Sequence, residues 1–179
     1  MASELTKVGK FILDILPAQE EEGSSFHADL SGIPEGAAEY GIAFTRDVEF
    51  SADYLFVKGR LVINGKLKAV VDSVCDRCLA PVEVPVRLSV SQVLYKEAPE
   101  DDDEAYTFTG EKICIDKLLL DEISLNMPTK VLCKEDCKGL CPICGVDLNK
   151  TICDCKKESI DESNPFSKLA GLFKDDEEV

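Results

Sequence analysis

Apolar and polar residues alternate along the first half of the chain with the period of two that is typical of strands with one buried face. Asn64-Gly65 interrupts this alternation and predicts a two-residue hairpin turn, because both central residues of such a turn adopt positive φ. Pro81 and Pro85 indicate that the last strand begins at a sheet edge, since proline cannot donate to a strand ladder. The pattern predicts an antiparallel meander over four segments: residues 48–50, 54–63, 66–74 and 82–94.

Helical spacing replaces the alternation in the second half of the chain. After a short strand over residues 106–109, residues 115–127 are predicted to form a helix that Pro128 ends. We expect its apolar stripe to cover the open face of the sheet, and the stripe consists of Ile115, Leu118, Leu119, Ile123 and Met127. A second, short helix is predicted from Asn164, with an apolar ridge at Phe166, Leu169, Ala170 and Phe173.

The N-terminal 44 residues carry a weaker pattern. Residues 11–16 are predicted to form a short strand or helix, followed by Gly-, Pro- and acid-rich connections through Ala38. Asp14 interrupts this apolar run and no small-residue cleavage site follows it, so we do not expect a signal peptide. No apolar run approaches the roughly 20 residues of a membrane span. The sequence therefore predicts a cytoplasmic protein that does not contact a membrane.

The net charge of −15 is concentrated in three acidic runs. Residues 20–22, 97–104 and 175–178 hold 13 of the 35 acidic residues and no basic one, so 22 acidic and 20 basic residues remain elsewhere. Solvated spacers are the simplest interpretation of the runs. The functional interpretation is an anionic surface that attracts basic proteins and repels phosphate backbones. Neither interpretation suits an autonomous nucleic-acid binder, which presents a basic face.

Nine cysteines supply the candidate chemistry, and six of them lie within residues 133–155. Cysteines two residues apart can place two thiolates on one metal ion, and Zn²⁺ binds four thiolates at tetrahedral corners. Eight cysteines make two candidate ligand sets, which are Cys75, Cys78, Cys133 and Cys137, and Cys141, Cys144, Cys153 and Cys155. The alternative is a single zinc site that leaves the Cys75–Cys78 pair redox-active or unused. We therefore predict one or two structural zinc ions.

The remaining residues do not form a catalytic constellation. Cys114 lies between two isoleucines, which is typical of a buried thiol, and His27, the single histidine, is given no metal role. All-cysteine sets lack the open coordination position of catalytic zinc, and the sequence holds no phosphate-binding glycine loop and no nucleophile elbow. The sequence therefore predicts a protein that is not an enzyme and has no small-molecule substrate.

Lysines surround the cysteine pairs, and a basic zinc knuckle can bind RNA. Four acidic residues offset four of the six lysine charges, so compensation of the metal sites is the simpler interpretation. The lysines are Lys130, Lys134, Lys138, Lys150, Lys156 and Lys157, and the acidic residues are Glu135, Asp136, Asp147 and Asp154.

The cysteine motifs in combination resemble a known family, the bacterial and plastid YceD-type proteins, which are called large ribosomal RNA subunit accumulation proteins. The matching elements are Val74-Cys-Asp-Arg-Cys-Leu79, Cys133, Cys137-Lys-Gly-Leu-Cys-Pro-Ile-Cys-Gly145, Asp147-Leu-Asn149 and Cys153-x-Cys155. The segment Asn164-Pro-Phe-x-x-Leu-x-x-Leu is also similar to the family's C-terminal motif, so the resemblance spans residues 45–173. It implies a role in the synthesis, processing or stability of 23S ribosomal RNA.

These observations combine into one expectation. The fold class is α+β, an antiparallel β-meander covered by a helix, with a C-terminal cysteine-rich zinc-knuckle tail. The expected function is non-enzymatic support of large-subunit biogenesis through large-subunit ribosomal proteins or rRNA-processing factors, and the alternative is direct contact of the zinc knuckles with 23S rRNA. The expected parts are an N-terminal segment (1–44), the sheet with its helix (45–129), a zinc-binding knuckle region (130–157), and a short docking helix with an acidic tail (158–179).

Overall fold

The computed structural model of the protein describes residues 3–5, 10–100, 102 and 104–155. The predicted helix from Asn164, the part assigned to residues 158–179, Lys156 and Lys157 lie outside the described residues. None of the helices in the described residues is long and apolar enough to span a membrane.

The structure is built mainly from strands, with few helices, and most of its strand pairs are antiparallel. This part of the predicted fold class is confirmed. The strands are β1 (Ser3–Leu5), β2 (Ile12–Asp14), β3 (Ser25–Gly32), β4 (Ala43–Phe44), β5 (Val48–Val57), β6 (Arg60–Val74), β7 (Pro81–Tyr95), β8 (Tyr106–Phe108) and β9 (Lys112–Cys114). The helices are α1 (Leu16–Glu20) and α2 (Asp116–Leu125), with a 3₁₀ turn at Ala37–Tyr40.

A seven-stranded sheet forms the body of the molecule, in the order β1-β8-β7-β6-β5-β3, and β4 pairs with part of β6. Strands β5, β6 and β7 follow one another along the chain and pair antiparallel. Two short pairings, β1 with β8 and β8 with β7, are parallel, so the sheet is mixed. Strands β2 and β9 are not part of this sheet and form a separate two-stranded antiparallel sheet.

The predicted hairpin turn at Asn64-Gly65 is wrong, because both residues lie inside β6. The turn between β5 and β6 lies at Lys58 and Gly59, where φ is 48° and 76°. Gly65 pairs with Ala52 on β5, and a Cβ atom on Gly65 would lie 2.6 Å from the Cβ of Ala52 and 2.8 Å from the ring of Phe50. This glycine therefore allows a close approach of two strands, and its backbone has no need of positive φ.

Among the described residues, strand β7 lies at the edge of the sheet for most of its length. It pairs with β6 from Pro81 to Tyr95, and on its other side the described strands give a single pair, Tyr95 with Thr107 of β8. The two prolines at its start therefore occupy a position where a missing N–H donor costs little.

The prediction that connections run from residue 17 to Ala38 is wrong for residues 25–32, which form β3 and pair with β5 along their whole length. Phe26, Ala28 and Leu30 alternate with polar residues along this strand, and they are partly buried against the core. Residues 11–15 also contribute to the core, with Phe11 and Ile15 fully buried. The boundaries of the four parts stay a prediction.

One hydrophobic core joins the inner face of the sheet to the first turns of α2. Leu118, Leu119 and Ile123 have no exposed surface, and they belong to the same buried cluster as Phe50, Ile63 and other strand residues. Burying large aliphatic side chains stabilises a fold by about 1.5–3 kcal/mol each. The helix is therefore part of the core of the described structure.

A buried carboxylate fixes the start of α2 against the N-terminal segment. Asp116 is 3% exposed and accepts hydrogen bonds from the backbone N–H groups of Lys10 (2.8 Å), Phe11 (2.7 Å) and Glu35 (3.1 Å). Buried charges are stable in proteins when hydrogen bonds replace their hydration. The side chain thus connects the start of α2 to the segments at residues 10–11 and at Glu35.

Candidate metal centres

The first cysteine cluster consists of Cys75 and Cys78, on the turn between β6 and β7, and Cys133 and Cys137, which follow α2. One sulfur atom from each residue lies within 4.8 Å of all the others. Sγ of Cys75 is 3.8 Å from Sγ of Cys137, and Sγ of Cys78 is 3.5 Å from Sγ of Cys133. Four thiolates at tetrahedral corners 2.3 Å from one zinc ion would lie about 3.8 Å apart. The spacing therefore fits a tetrahedral metal, and it is far longer than the roughly 2.05 Å of a disulfide.

Backbone and side-chain contacts hold the two halves of this cluster together. Asp76 accepts a hydrogen bond from the N–H of Val131 at 2.6 Å and donates its own N–H to the carbonyl of Val131 at 2.8 Å. Nη1 of Arg77 donates to the carbonyl of Cys137 at 2.7 Å. The segment after α2 is thus attached to the β6–β7 turn by contacts that do not involve the thiols.

The second cysteine cluster consists of Cys141, Cys144, Cys153 and Cys155, whose sulfur atoms also lie within 4.8 Å of one another. Its knuckle closes through hydrogen bonds from the N–H of Gly145 to the carbonyl of Cys141 (2.9 Å) and from the N–H of Cys141 to the carbonyl of Val146 (2.8 Å). Gly145 has φ of 73°, which favours glycine. This cluster is more exposed than the first.

The first cysteine of each C-x2-C knuckle has a lowered pKa, which favours its thiolate form. Burial raises the pKa of Cys75, but backbone N–H groups of Cys133, Arg77 and Cys78 outweigh burial and lower the pKa to about 6. The N–H groups of Cys144 and Ile143 lower the pKa of Cys141 to about 6. Because metal binding requires deprotonated thiols, these donors favour the ligand form.

Two cysteines in each cluster show the opposite pKa shift, and for Cys133 and Cys155 the largest cause is a hydrogen bond with a neighbouring cysteine that favours the neutral thiol. The thiol of Cys78 raises the pKa of Cys133 to about 12, and the thiol of Cys144 raises the pKa of Cys155 to about 12. Four thiols this close can all be ionised only when a cation balances them. Both tetrads could therefore hold metal ions, and the all-sulfur donor set fits zinc.

A contact between the clusters involves Asn149, which lies in the loop between Cys144 and Cys153. Its Nδ2 atom is 3.3 Å from Sγ of Cys137 and donates to it. Burial raises the pKa of Cys137, but the hydrogen bond from Asn149 and other donors outweigh it, so the pKa is lowered. Thus a residue of the second knuckle reaches a thiol of the first cluster.

Sequence reasoning found all eight clustered cysteines but assigned no role to Asp76, Arg77 or Asn149 beyond their place in the family-like motifs. For Asp76 and Arg77 the sequence did carry a signal, because polar residues inside a C-x2-C pair lie close to the thiols. Asn149 could not be assigned to Cys137 from the sequence, because the contact depends on how the second knuckle folds back.

Cys114 and His27 lie elsewhere. Cys114 is buried in β9, and burial is the largest of the effects that raise its pKa to about 11. His27 lies on the exposed face of β3, with Nδ1 2.8 Å from Asp53 and Nε2 3.2 Å from Asp29. Hydrogen bonds with Asp53 and Asp29 raise its pKa. Neither residue belongs to a cysteine cluster.

Comparison with known proteins gives one family and several relatives. The family model described as "Large ribosomal RNA subunit accumulation protein YceD" matches residues 63–173. No solved structure matches the chain. The matched segment includes every cysteine of both clusters.

Two chloroplastic plant proteins named "Large ribosomal RNA subunit accumulation protein YCED homolog 1" are 28% identical to the chain. The Arabidopsis thaliana protein aligns over 174 residues, 74% of this chain and 54% of its own length. The Zea mays protein aligns over 157 residues, 69% of this chain and 53% of its own length. An uncharacterized protein of Mycobacterium tuberculosis is 31% identical over 93 residues, 49% of this chain and 45% of its own length. The chain thus spans about half the length of these curated relatives.

Proposed function

Because this chain belongs to the YceD family of large ribosomal RNA subunit accumulation proteins, we propose that it is a non-enzymatic factor in large-subunit biogenesis. It supports the synthesis, processing or stability of 23S ribosomal RNA. The observation that carries this proposal is the family match over residues 63–173, which covers most of the meander, α2 and both cysteine clusters.

The metal in this proposal is zinc, one ion in each cysteine cluster, with a structural role. Cys75, Cys78, Cys133 and Cys137 hold one ion, and Cys141, Cys144, Cys153 and Cys155 hold the other. Four thiolate ligands leave no open position for a substrate, so zinc acts as a cross-link. The first ion connects the β6–β7 turn to the segment after α2, and the second closes the knuckle that follows.

The partners in this proposal are proteins with basic surfaces, such as large-subunit ribosomal proteins or a processing factor that works with them. The exposed acidic loop before β8 supports this, since Glu97, Glu100, Asp102 and Glu104 are all exposed. Such a cluster attracts cationic proteins and repels a phosphate backbone.

Direct RNA binding by the knuckles is the second candidate. Lys130 and Lys138 are exposed and available for phosphates. Two other lysines are already paired, Lys134 with Asp136 (3.8 Å) and Lys150 with Asp147 (3.4 Å). Binding of a nucleic acid depends on several free cations, so these pairs favour the protein-contact candidate.

A pull-down from cell lysate, with and without ribonuclease, tests the proposal. Recovery of large-subunit proteins or a processing factor that survives ribonuclease is the expected result. A catch that disappears with ribonuclease, together with salt-sensitive binding of the purified protein to 23S fragments, would establish the RNA-binding candidate instead.

A charge variant makes this test specific to the acidic loop. Changing Glu97, Glu100 and Glu104 to Gln is expected to reduce the recovered protein. The matched control changes Glu20, Glu21 and Glu39 to Gln, which removes the same charge from exposed positions elsewhere. Equal recovery with both variants would show that net charge, rather than the loop, determines the contact.

A further inference from the structure

The second knuckle folds back so that part of it lies against the first cysteine cluster. The N–H of Leu148 donates to the carbonyl of Gly139 at 2.9 Å, and Leu140 forms a β-bridge with Asp147. The N–H of Leu140 in turn donates to the carbonyl of Arg77, in the β6–β7 turn, at 2.9 Å. Residues 139–149, which include Cys141 and Cys144 of the second cluster, therefore form a short ribbon that contacts the β6–β7 turn of the first cluster.

Asn149 lies at the end of this ribbon, and both polar atoms of its side chain form hydrogen bonds. Nδ2 donates to Sγ of Cys137 (3.3 Å) and to Oδ1 of Asp147 (2.8 Å), while Oδ1 accepts the N–H of Lys138 (3.0 Å). The backbone N–H of Asn149 also donates to Oδ1 of Asp147, at 2.9 Å. Asp147 therefore fixes the orientation of the amide that faces Cys137.

We propose that Asn149 is a positioning residue that couples the two metal sites, so that zinc in the second cluster strengthens zinc binding by the first. This inference rests on the proposed zinc sites. Four thiolates around Zn²⁺ carry a net charge of −2, and an amide N–H directed at one sulfur stabilises that charge. The amide reaches Cys137 only when residues 139–149 are folded. Zinc in the second cluster would join Cys141 and Cys144, inside this ribbon, to Cys153 and Cys155, which follow Asn149.

Coupling of two binding equilibria is reciprocal. If zinc in the second cluster raises the affinity of the first, zinc in the first cluster raises the affinity of the second by the same factor. Groups that hydrogen-bond to metal ligands change metal affinity by about 10-fold to 100-fold when they are removed. The expected coupling is therefore about 10-fold.

The test measures zinc occupancy of each cluster separately. Protein is equilibrated with a competing chelator over a range of free zinc, unprotected thiols are alkylated, and mass spectrometry identifies the alkylated cysteines. Disabling the second cluster with Cys144→Ser and Cys155→Ser is expected to weaken the first cluster about 10-fold, although no ligand of the first cluster is changed. Cys78→Ser with Cys133→Ser is expected to weaken the second cluster by the same factor.

Asn149→Leu keeps all eight thiols and removes the donor, so it is expected to weaken the first cluster to the same extent. Combining it with Cys144→Ser and Cys155→Ser is expected to cause no further loss of zinc affinity in the first cluster, because both changes remove the same interaction. Thr151→Leu, at an exposed position two residues away, is the matched control and should leave both affinities unchanged.

The outcomes separate the coupling from the zinc assignment. Two zinc ions bound by the wild-type protein, with the first cluster unaffected by Asn149→Leu or by loss of the second cluster, would overturn the coupling alone. Losses that add in the combined variant would also overturn it. A wild-type protein that binds no zinc would contradict both the zinc sites and their coupling.

Discussion

Leu79 and Gly145 occupy equivalent positions, one residue after the second cysteine of each C-x2-C knuckle, but only one of them suits its backbone. Their φ angles are 59° and 73°. The left-handed conformation costs a residue with a Cβ roughly 1–2 kcal/mol, and the exposed side chain of Leu79 recovers little of this by packing.

We therefore expect Leu79→Gly to stabilise the protein. Relief of backbone strain exceeds the roughly 0.5–1 kcal/mol that glycine loses through its flexible unfolded chain. The net gain of a few tenths to about 1 kcal/mol should raise Tm by about 1–3 °C, as measured by calorimetry of the zinc-loaded protein. Gly145→Ala is the reverse test and should lower Tm, since no atom lies within 4 Å of the added Cβ and only the backbone contributes. A lower Tm for Leu79→Gly would contradict the strain argument.

Gly65 illustrates a different requirement, that of space. Gly65→Ala would place a Cβ 2.6 Å from Ala52 and 2.8 Å from Phe50 and from the carbonyl of Ser51. Overpacking of this kind costs about 1–3 kcal/mol, so urea unfolding should show a lower midpoint with an unchanged slope. Adding Ala52→Gly to the same protein should recover part of the loss. If Gly65→Ala were as stable as the parent protein, β5 and β6 could move apart to fit the added Cβ without a cost in stability.

At the scale of elements, alternation located the meander but not the bounds of its strands, since the predicted strand over residues 54–63 crosses the turn that separates β5 from β6. Asn-Gly is a strong hairpin signal when only local backbone preference is considered. In this chain the packing of Phe50 and Ala52 against Gly65 decides its position, and Lys58-Gly59 forms the turn. Strand β3 was missed although its polar and apolar residues alternate, because the segment is short, lies among Gly-, Pro- and acid-rich connections, and buries its apolar residues only in part.

Helix α2 offers a test of the core. Leu119 is fully buried, whereas Leu125, in the same helix, is 83% exposed. Leu119→Asp would bury an unpaired charge, which costs several kcal/mol, comparable to the whole stability of a domain at about 5–15 kcal/mol. We expect circular dichroism to show loss of the folded state for Leu119→Asp and a nearly unchanged melting curve for Leu125→Asp. If Leu119→Asp melted at the same temperature as the parent protein, the helix would not be part of the stabilising core.

At the scale of the whole molecule, removal of metal is expected to loosen one end of the fold. The clusters join cysteines within residues 133–155, while β5, β6 and β7 bury their apolar residues in the core that they share with α2. Hydrogen exchange after chelation should therefore rise within residues 130–155 and change little in the three strands, and zinc should reverse the effect. Equal loss of protection in the strands would show that the clusters support the sheet as well.

The two cysteine sets could be predicted because each combines a C-x2-C pair with a second pair of cysteines. Together the two sets use every cysteine except Cys114. The spacing alone also allowed a single site, since nothing in the sequence states that residues 133–137 return to the turn after β6. That return depends on Asp76 bonding to Val131 and Arg77 to Cys137. Long-range contacts of this kind have no local sequence signature, and Asn149 and Asp116 were missed for the same reason.

The hydrogen bond from Phe11 to Asp116 spans 105 positions of the chain, and this distance sets a waiting time during synthesis. At about 5–20 residues per second, roughly 5–20 s pass between the translation of the two partners. Until then Phe11, Leu13 and Ile15 have neither β9 nor α2 to cover them. The nascent chain therefore exposes an apolar N-terminal segment for that time, and a ribosome that pauses before residue 112 prolongs the exposure.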